Sequence, residues 1–244
     1  MHSFSHVIQW LFSASHWNGP DGILTRVWEH LTVSFVAVAI AIAIAVPVGL
    51  LVGHKRKGQL LAVSIANVGR AVPSFAVLVL VFVFMLHYAQ SIAFGFGPGV
   101  VALTLLAIPP VLTNTYVGIQ NVDRDLIEAA RGMGFRERDV LFKLEIPLAT
   151  NLIMGGIRTA AVQVVATASL IAAIGGGGLG RYIIDGFARN ETDRAAAGAV
   201  LIAMLAILTE VGMAALQRFL TPKATSSQLK PPRSLGDAGQ PVAA

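Results

Sequence analysis

The chain has 244 residues, 55% of them hydrophobic and 13% charged, with a mean hydropathy of +0.70. No soluble domain of this size needs so apolar a balance, and several spans of about 20 residues leave no room for an extramembrane domain, so the expected class is an all-α integral membrane protein. The net charge of +5 sits beside apolar runs, not in a basic stripe, which speaks for membrane topology over nucleic acid; cysteine is absent, which excludes disulfides, thiolate zinc sites and thiol catalysis.

Residues 1–22 hold Trp10 and Trp17 and no lysine or arginine. With Trp28 they read either as an extracytoplasmic interfacial belt with a short helix on the membrane, or as a loosely ordered tail. A first span is placed at 23–53. Its apolar run, 31–53, is longer than the hydrophobic region of a signal peptide and lacks a basic leader and a cleavage site, so it is expected to be retained. The stretch VAVAIAIAIAV alternates as a strand does, but its length and freedom from charge favour a helix. The basic cluster HKRKG follows at 54–58.

Residues 59–88 carry Arg70 and Pro73 and form either one long kinked span or a short amphipathic lead-in followed by a span over 72–88. FGFGPG at 94–99 is a turn. A third span covers 100–120, where the adjacent Pro109 and Pro110 imply irregular backbone facing protein or water. Spans four and five are placed at 147–174 and 195–219. The tail 221–244, rich in Pro, Ser, Gly and Gln, is expected to be disordered, and no internal repeat is evident.

Between spans three and four, residues 123–145 gather eleven ionisable side chains. With five spans, 14 of the 18 lysines and arginines fall on the side holding Lys55 and this segment, leaving Arg26, Arg181, Arg189 and Arg194 opposite. The positive-inside rule then makes the segment and the C-terminus cytoplasmic. Six spans, made by splitting 59–88, would put Lys55 and the segment on opposite sides.

Within the segment, Leu126, Ala129, Ala130 and Met133 fall at i, i+3, i+4 and i+7, so a short helix is expected to show one small apolar face with Glu128 and Arg131 off it. Gly134 ends that helix and allows a sharp turn. A second piece over 137–144, with Val140, Leu141 and Leu144 on one side, precedes Pro147 at the start of the next span. Taken alone, such a bracket also fits a solvated loop stitched by salt bridges.

Glu128-Ala129-Ala130, Gly134, then nine residues and Leu144-Glu145-Ile146-Pro147 together resemble the EAA loop of bacterial ABC-importer permeases, whose pattern is EAA, three residues, Gly, nine residues, I-x-L-P. The resemblance extends over roughly 24–220. AVPSFAVL at 71–78, TNTYVGI at 113–119 and IRTAAVQVVATASLIAAIGGGGLG at 157–180 look like the quaternary-amine osmoprotectant branch, which imports glycine betaine, choline, carnitine or proline betaine. Permeases for methionine and other amino acids share the loop and the five-span core.

The resemblance implies a type I permease domain over 23–220 in a bacterial inner membrane, with the loop 123–147 as a coupling helix docking on a separate ATPase. Glu128, Ala129, Ala130, Arg131, Gly134, Leu144, Ile146 and Pro147 would carry that coupling. The implied partners are two copies of a cytoplasmic ATPase, which binds the ATP and magnesium, a second permease copy or paralogue, and an extracytoplasmic substrate-binding protein. The chain itself would be a transport subunit without catalytic residue or cofactor.

Other patterns compete with this reading. GGGGLGR at 175–181 fits G-x-G-x-x-G, but a long apolar helix precedes it and Arg181 and Tyr182 stand where a Walker sequence has Lys and Ser or Thr, so nucleotide binding is not expected. Gly175, Gly177 and Gly180 instead suit close approach around a pathway, or a flexible turn. The six histidines show no metal-ligand spacing. Arg70, Arg158 and Glu210 are expected to snorkel from the cytoplasmic span ends. Phe75, Phe82, Phe84, Tyr88 and Tyr116 could line a path for a quaternary ammonium through cation–π attraction, packing being their commoner role. A self-sufficient carrier or channel, or a membrane-bound sensor or assembly protein, is the rival class.

Overall fold

The alternating run of the first span folds as helix. α2, Ile23–Lys55, continues unbroken for 33 residues, and the alternation of small and branched residues becomes a division of faces. Ala37, Ala41, Ala45, Gly49 and Gly53, spaced by four, are buried, while Val36, Ile40, Ile44 and Val48, one position earlier each time, are exposed. A four-residue spacing keeps side chains on one helical face, so the small ones form a flat stripe for a neighbour and the branched ones face outward.

The structure, a computed structural model, describes residues 4–56, 64, 69 and 71–221. Lys57, Arg70 and the tail 222–244 lie outside them, as does most of the segment that separates five spans from six. Among the described residues all regular structure is helical. α1 is Phe4–Phe12, α3 Ser74–Tyr88, α4 Gly97–Gln120, α5 Arg124–Gly132, α6 Glu137–Asp139, α7 Ile146–Thr167, α8 Gly180–Ala188 and α9 Thr192–Leu220. A π-helical turn, Val140–Glu145, joins α6 to α7, and a 3-10 helix, Ala168–Ile174, extends α7. Among the described residues four helical stretches are long and apolar enough to cross a membrane: Ile23–Lys55, Gly97–Gln120, Glu137–Ile174 and Thr192–Leu220. α3, preceded by Pro73, is a fifth apolar helix of 15 residues.

The core is built on α4, which packs against α2 on one side and α7 on the other. The α2 stripe lies so close to α4 that a Cβ added at Gly49 would stand 2.7 Å from Thr115 Cβ, and one at Gly53 would stand 2.7 Å from Ile119 Cβ. Small residues let helix backbones approach in a membrane, where lipid tails give no hydrophobic drive and packing must supply the association. On the other side a Cβ at Gly156 of α7 would meet Asn114 Cβ at 2.6 Å.

One expectation changes. α4 runs as regular helix through Pro109 and Pro110, where irregular backbone was expected; both prolines are buried, and Asn114 Nδ2 donates to the Pro110 carbonyl at 2.8 Å. Enclosure by the surrounding helices accommodates the buried prolines without a break. Pro147 stands where it was expected, in the first turn of a helix, as the second residue of α7, with the π turn Val140–Glu145 leading into it.

The N-terminal segment forms a short helix packed against α9, not a loose tail. Trp10 sits edge-on to Tyr182 at 5.3 Å and stacks on His16 at 4.2 Å.

Candidate functional site

The charged segment folds as a bracket with its own small core. Asp123 caps α5, its side chain accepting from Asp125 N at 2.9 Å. The helix ends in a Schellman turn: Gly134 N donates to Arg131 O at 2.9 Å, Phe135 N donates to Ala130 O at 3.1 Å, and Gly134 has φ +85°. Positive φ at this position is what a glycine supplies without steric cost. Across the turn Arg131 grips Glu137 with two hydrogen bonds, 2.9 and 3.0 Å, which raises the guanidinium pKa above its ordinary value. Lys143 pairs with Asp139 at 2.6 Å.

The buried face of α5 differs from the expected one. Ile127 and Ala130 pack inward with Val122 and Val140, against Leu144 and Leu148. Leu126, Ala129 and Met133 face outward, Leu126 43% and Met133 72% exposed, beside exposed Glu128. Apolar residues occur on both sides of this short helix, so spacing alone selected the wrong one; its rotation follows from the Asp123 cap and from packing on the π turn. Ala129 and Ala130 are thereby divided, one outward and one inward. Leu144, Ile146 and Pro147 are half-buried where the bracket enters α7.

One polar junction binds the bracket to the rest of the molecule. His54, near the end of α2, bonds through Nδ1 to Glu145 Oε2 at 2.6 Å and lies with Nε2 3.3 Å from Glu137 Oε2. The Glu145 side chain is only 3% exposed. The relay Arg131, Glu137, His54, Glu145 thus connects α5, α6, α2 and the π turn. A polar cavity of about 350 Å³ opens here, lined by His54, Arg124, Glu128, Arg131 and Glu145. Sequence reasoning assigned no role to His54 and Glu145, although both stood within features already singled out, the basic cluster and the L-E-I-P run.

The glycine loop lies at the other end of the bundle. Glu29 of α2 accepts from Gly178 N at 2.8 Å and from Arg26 Nη1 at 2.8 Å. A Cβ at Gly177 would stand 2.5 Å from Glu29 Oε2, and Gly175 and Gly178 have φ +84° and +86°. A carboxylate therefore occupies the spot where a nucleotide loop would hold phosphate, and a 3-10 helix precedes the loop in place of a strand. Gly180 packs against the Ser169 carbonyl. Nearby, Tyr182 donates to Asp21 O at 2.6 Å, burial pushing its phenol up to about 12.

The aromatic candidates do not converge. Phe75 and Tyr88 lie at opposite ends of α3, 48% and 70% exposed, whereas Tyr116 is buried in the core of α4. Phe84 lies tilted against Tyr88 at 4.6 Å and Phe82 meets Phe94 edge-on at 6.4 Å.

Arg158 and Glu210, expected to snorkel, have partners within the protein. They pair with each other across α7 and α9, and Gln217 accepts from Arg158 Nη1 at 3.4 Å while donating to Asn151 O at 3.0 Å. Arg158 and Glu210 both belong to helical stretches long and apolar enough to cross a membrane, and the pairing gives each charge an opposite partner.

Comparison with known proteins supplies the remaining findings. The family described as binding-protein-dependent transport system inner membrane component matches residues 45–226. The carnitine transport permease protein OpuCB of Listeria monocytogenes is 37% identical over 202 residues, 83% of this chain and 89% of the relative. The choline transport system permease protein OpuBB of Bacillus subtilis is 34% identical, covering 89% and 94%. The osmoprotectant import permease protein OsmW of Salmonella typhimurium is 34% identical, covering 82% and 93%. Among solved structures, an inward-facing MetNI methionine ABC transporter superposes with TM-score 0.71 at 24% identity, over 82% of this chain and 96% of that one. An amino acid ABC transporter gives 0.67 at 20%, over 91% and 98%. At those identities the likeness is one of fold, that of an ABC-importer permease.

Proposed function

Because the chain belongs to the family of binding-protein-dependent inner membrane transport components, we propose that it is the permease subunit of an ATP-driven importer for osmoprotectants of the glycine betaine, choline and carnitine class. The observation that carries the substrate class is the 34–37% identity, over more than four-fifths of the chain, to permeases named for carnitine, choline and osmoprotectant transport. The likeness to a methionine transporter bears on fold alone and does not compete with it.

In this reading the chain is not an enzyme. It pairs with a second copy or a paralogue and binds two copies of a cytoplasmic ATPase, where ATP and magnesium reside, and an extracytoplasmic binding protein delivers the solute. The coupling segment is the bracket over 123–147. Glu128, Ala129 and Arg131 meet the ATPase, with exposed Leu126 and Met133 alongside, while Ala130, Leu144, Ile146 and Pro147 anchor the bracket and Gly134 sets its turn. Closure of the ATPase dimer on ATP draws the two brackets together, and the relay through His54 passes that displacement to α2 as well as α7. The bundle then changes from inward-facing to outward-facing, and hydrolysis resets it. The bracket side and the tail after α9 are cytoplasmic, and the glycine loop with the N-terminal segment 1–22 faces outward. The pathway passes the outer loop around Gly175, Gly177 and Gly180 and the exposed aromatics Phe75 and Tyr88 of α3, with Tyr116 supporting from the core.

The test is uptake of labelled glycine betaine, choline, carnitine and methionine by a transport-deficient bacterium that expresses this chain with its ATPase and binding protein, and then without the ATPase. Quaternary-amine uptake lost on that omission is the expected result. Methionine uptake alone would remove the substrate class, and uptake that persists without the ATPase would remove the importer.

A further inference from the structure

The seam between α7 and α9, two helices in stretches long and apolar enough to cross a membrane, carries a row of polar side chains: Asn151 and Arg158 on one helix, Glu210 and Gln217 on the other, hydrogen-bonded across it. The Arg158 and Glu210 side chains remain 34% and 42% exposed although both belong to helical stretches long and apolar enough to cross a membrane. An ion pair turned toward hydrocarbon is costly, and intramembrane charges face a water-filled cavity or protein instead. Its own hydrogen bonds already hold the pair, so the exposed sides are free to meet something else.

We propose that the Arg158–Glu210 pair is a contact point for the solute inside the membrane, recognising a zwitterion whose carboxylate and quaternary ammonium are separated by a short chain. This rests on the substrate class proposed above. Charge complementarity selects that ligand: the guanidinium presents N–H donors to a carboxylate, and the Glu210 carboxylate faces a trimethylammonium that has no hydrogen to donate and is held by electrostatics alone. The pair opens, each member takes one end of the ligand, and it closes again on release. Net charge at the station is zero before and during occupancy, so no unpaired charge is left in the membrane interior. The contact is transient, as release to the far side requires.

The test uses the complete transporter, with ATPase and binding protein, in proteoliposomes, and reads glycine betaine uptake per ATP hydrolysed. Arg158→Gln and Glu210→Gln are each expected to lower that ratio roughly tenfold, the loss of one charge-assisted contact, while binding-protein-stimulated hydrolysis persists. The charge-swapped double variant, Arg158→Glu with Glu210→Arg, keeps a pair and the zwitterion can bind reversed, so the ratio should recover. Uptake and hydrolysis falling together in the single variants would make the pair a structural or subunit-interface bond and overturn the proposal, as would single variants with an unchanged ratio. If the unaltered transporter imports some other solute but no quaternary amine, the proposed function itself fails and the station falls with it.

Discussion

Two seams flank the bracket, and they are built from opposite materials. The α2–α4 seam is dry, with Ala37, Ala41, Ala45, Gly49 and Gly53 lying so close to α4 that no additional carbon fits at Gly49 or Gly53. The α7–α9 seam carries Asn151, Arg158, Glu210 and Gln217 and stays partly open. A close-packed interior does not deform continuously, whereas a partly exposed polar seam has other partners to turn to. The bracket leaves the membrane at the end of α4, on the dry seam, and returns at α7, on the polar one. That arrangement suits a lever with one arm on a fixed frame and the other on a part that moves.

The hardest way to break this contrast is to wedge the dry seam. Gly53→Leu or Gly49→Leu forces a side chain into Ile119 or Thr115, an overpacking cost of about 1–3 kcal/mol or more; loss of folded protein from the membrane fraction is the expected outcome. Next come changes in the lever itself. Gly134→Pro removes the N–H that closes the Schellman turn and cannot adopt φ +85°, and Glu128→Lys reverses an exposed charge. Both should abolish uptake with membrane insertion intact, as read by uptake assay beside membrane fractionation.

A smaller effect is expected at the junction between lever and frame. His54→Ala leaves the buried Glu145 carboxylate without its partner, on the order of 1–3 kcal/mol. Thermal melting of the purified complex should fall and uptake should drop severalfold, whereas Glu137→Gln, on the exposed side of the same histidine, should change melting little. Least is expected from Asp123→Ala, which removes one helix cap at about 1 kcal/mol. Modestly slower uptake with faster amide exchange confined to α5 is the outcome to look for.

Much of this was legible in the residues. The long charge-free runs gave the spans, and the EAA-to-Pro spacing located the bracket, because its chemistry is local and its residues lie close together in the chain. The face of α5 was not legible, since Leu126, Ile127, Ala129, Ala130 and Met133 offer apolar surface on both sides and only tertiary packing chooses between them. The dry seam was present in the sequence as small residues every fourth position, yet the more conspicuous two-residue alternation masked it. The Arg158–Glu210 pair joins residues 52 apart in sequence, and only the packing of α7 on α9 brings them together.

The central claim, that the bracket over 123–147 is the surface through which ATP hydrolysis reaches the spans, is tested most directly at Ala129. The chain has no cysteine, so Ala129→Cys carries a single photoreactive label on the outward face of α5. The account predicts crosslinking of that label to the ATPase in native membranes, arrest of uptake on illumination, and no crosslink from a label placed at buried Ala130. A working, ATP-dependent transporter in which Ala129→Cys never crosslinks to the ATPase would contradict it.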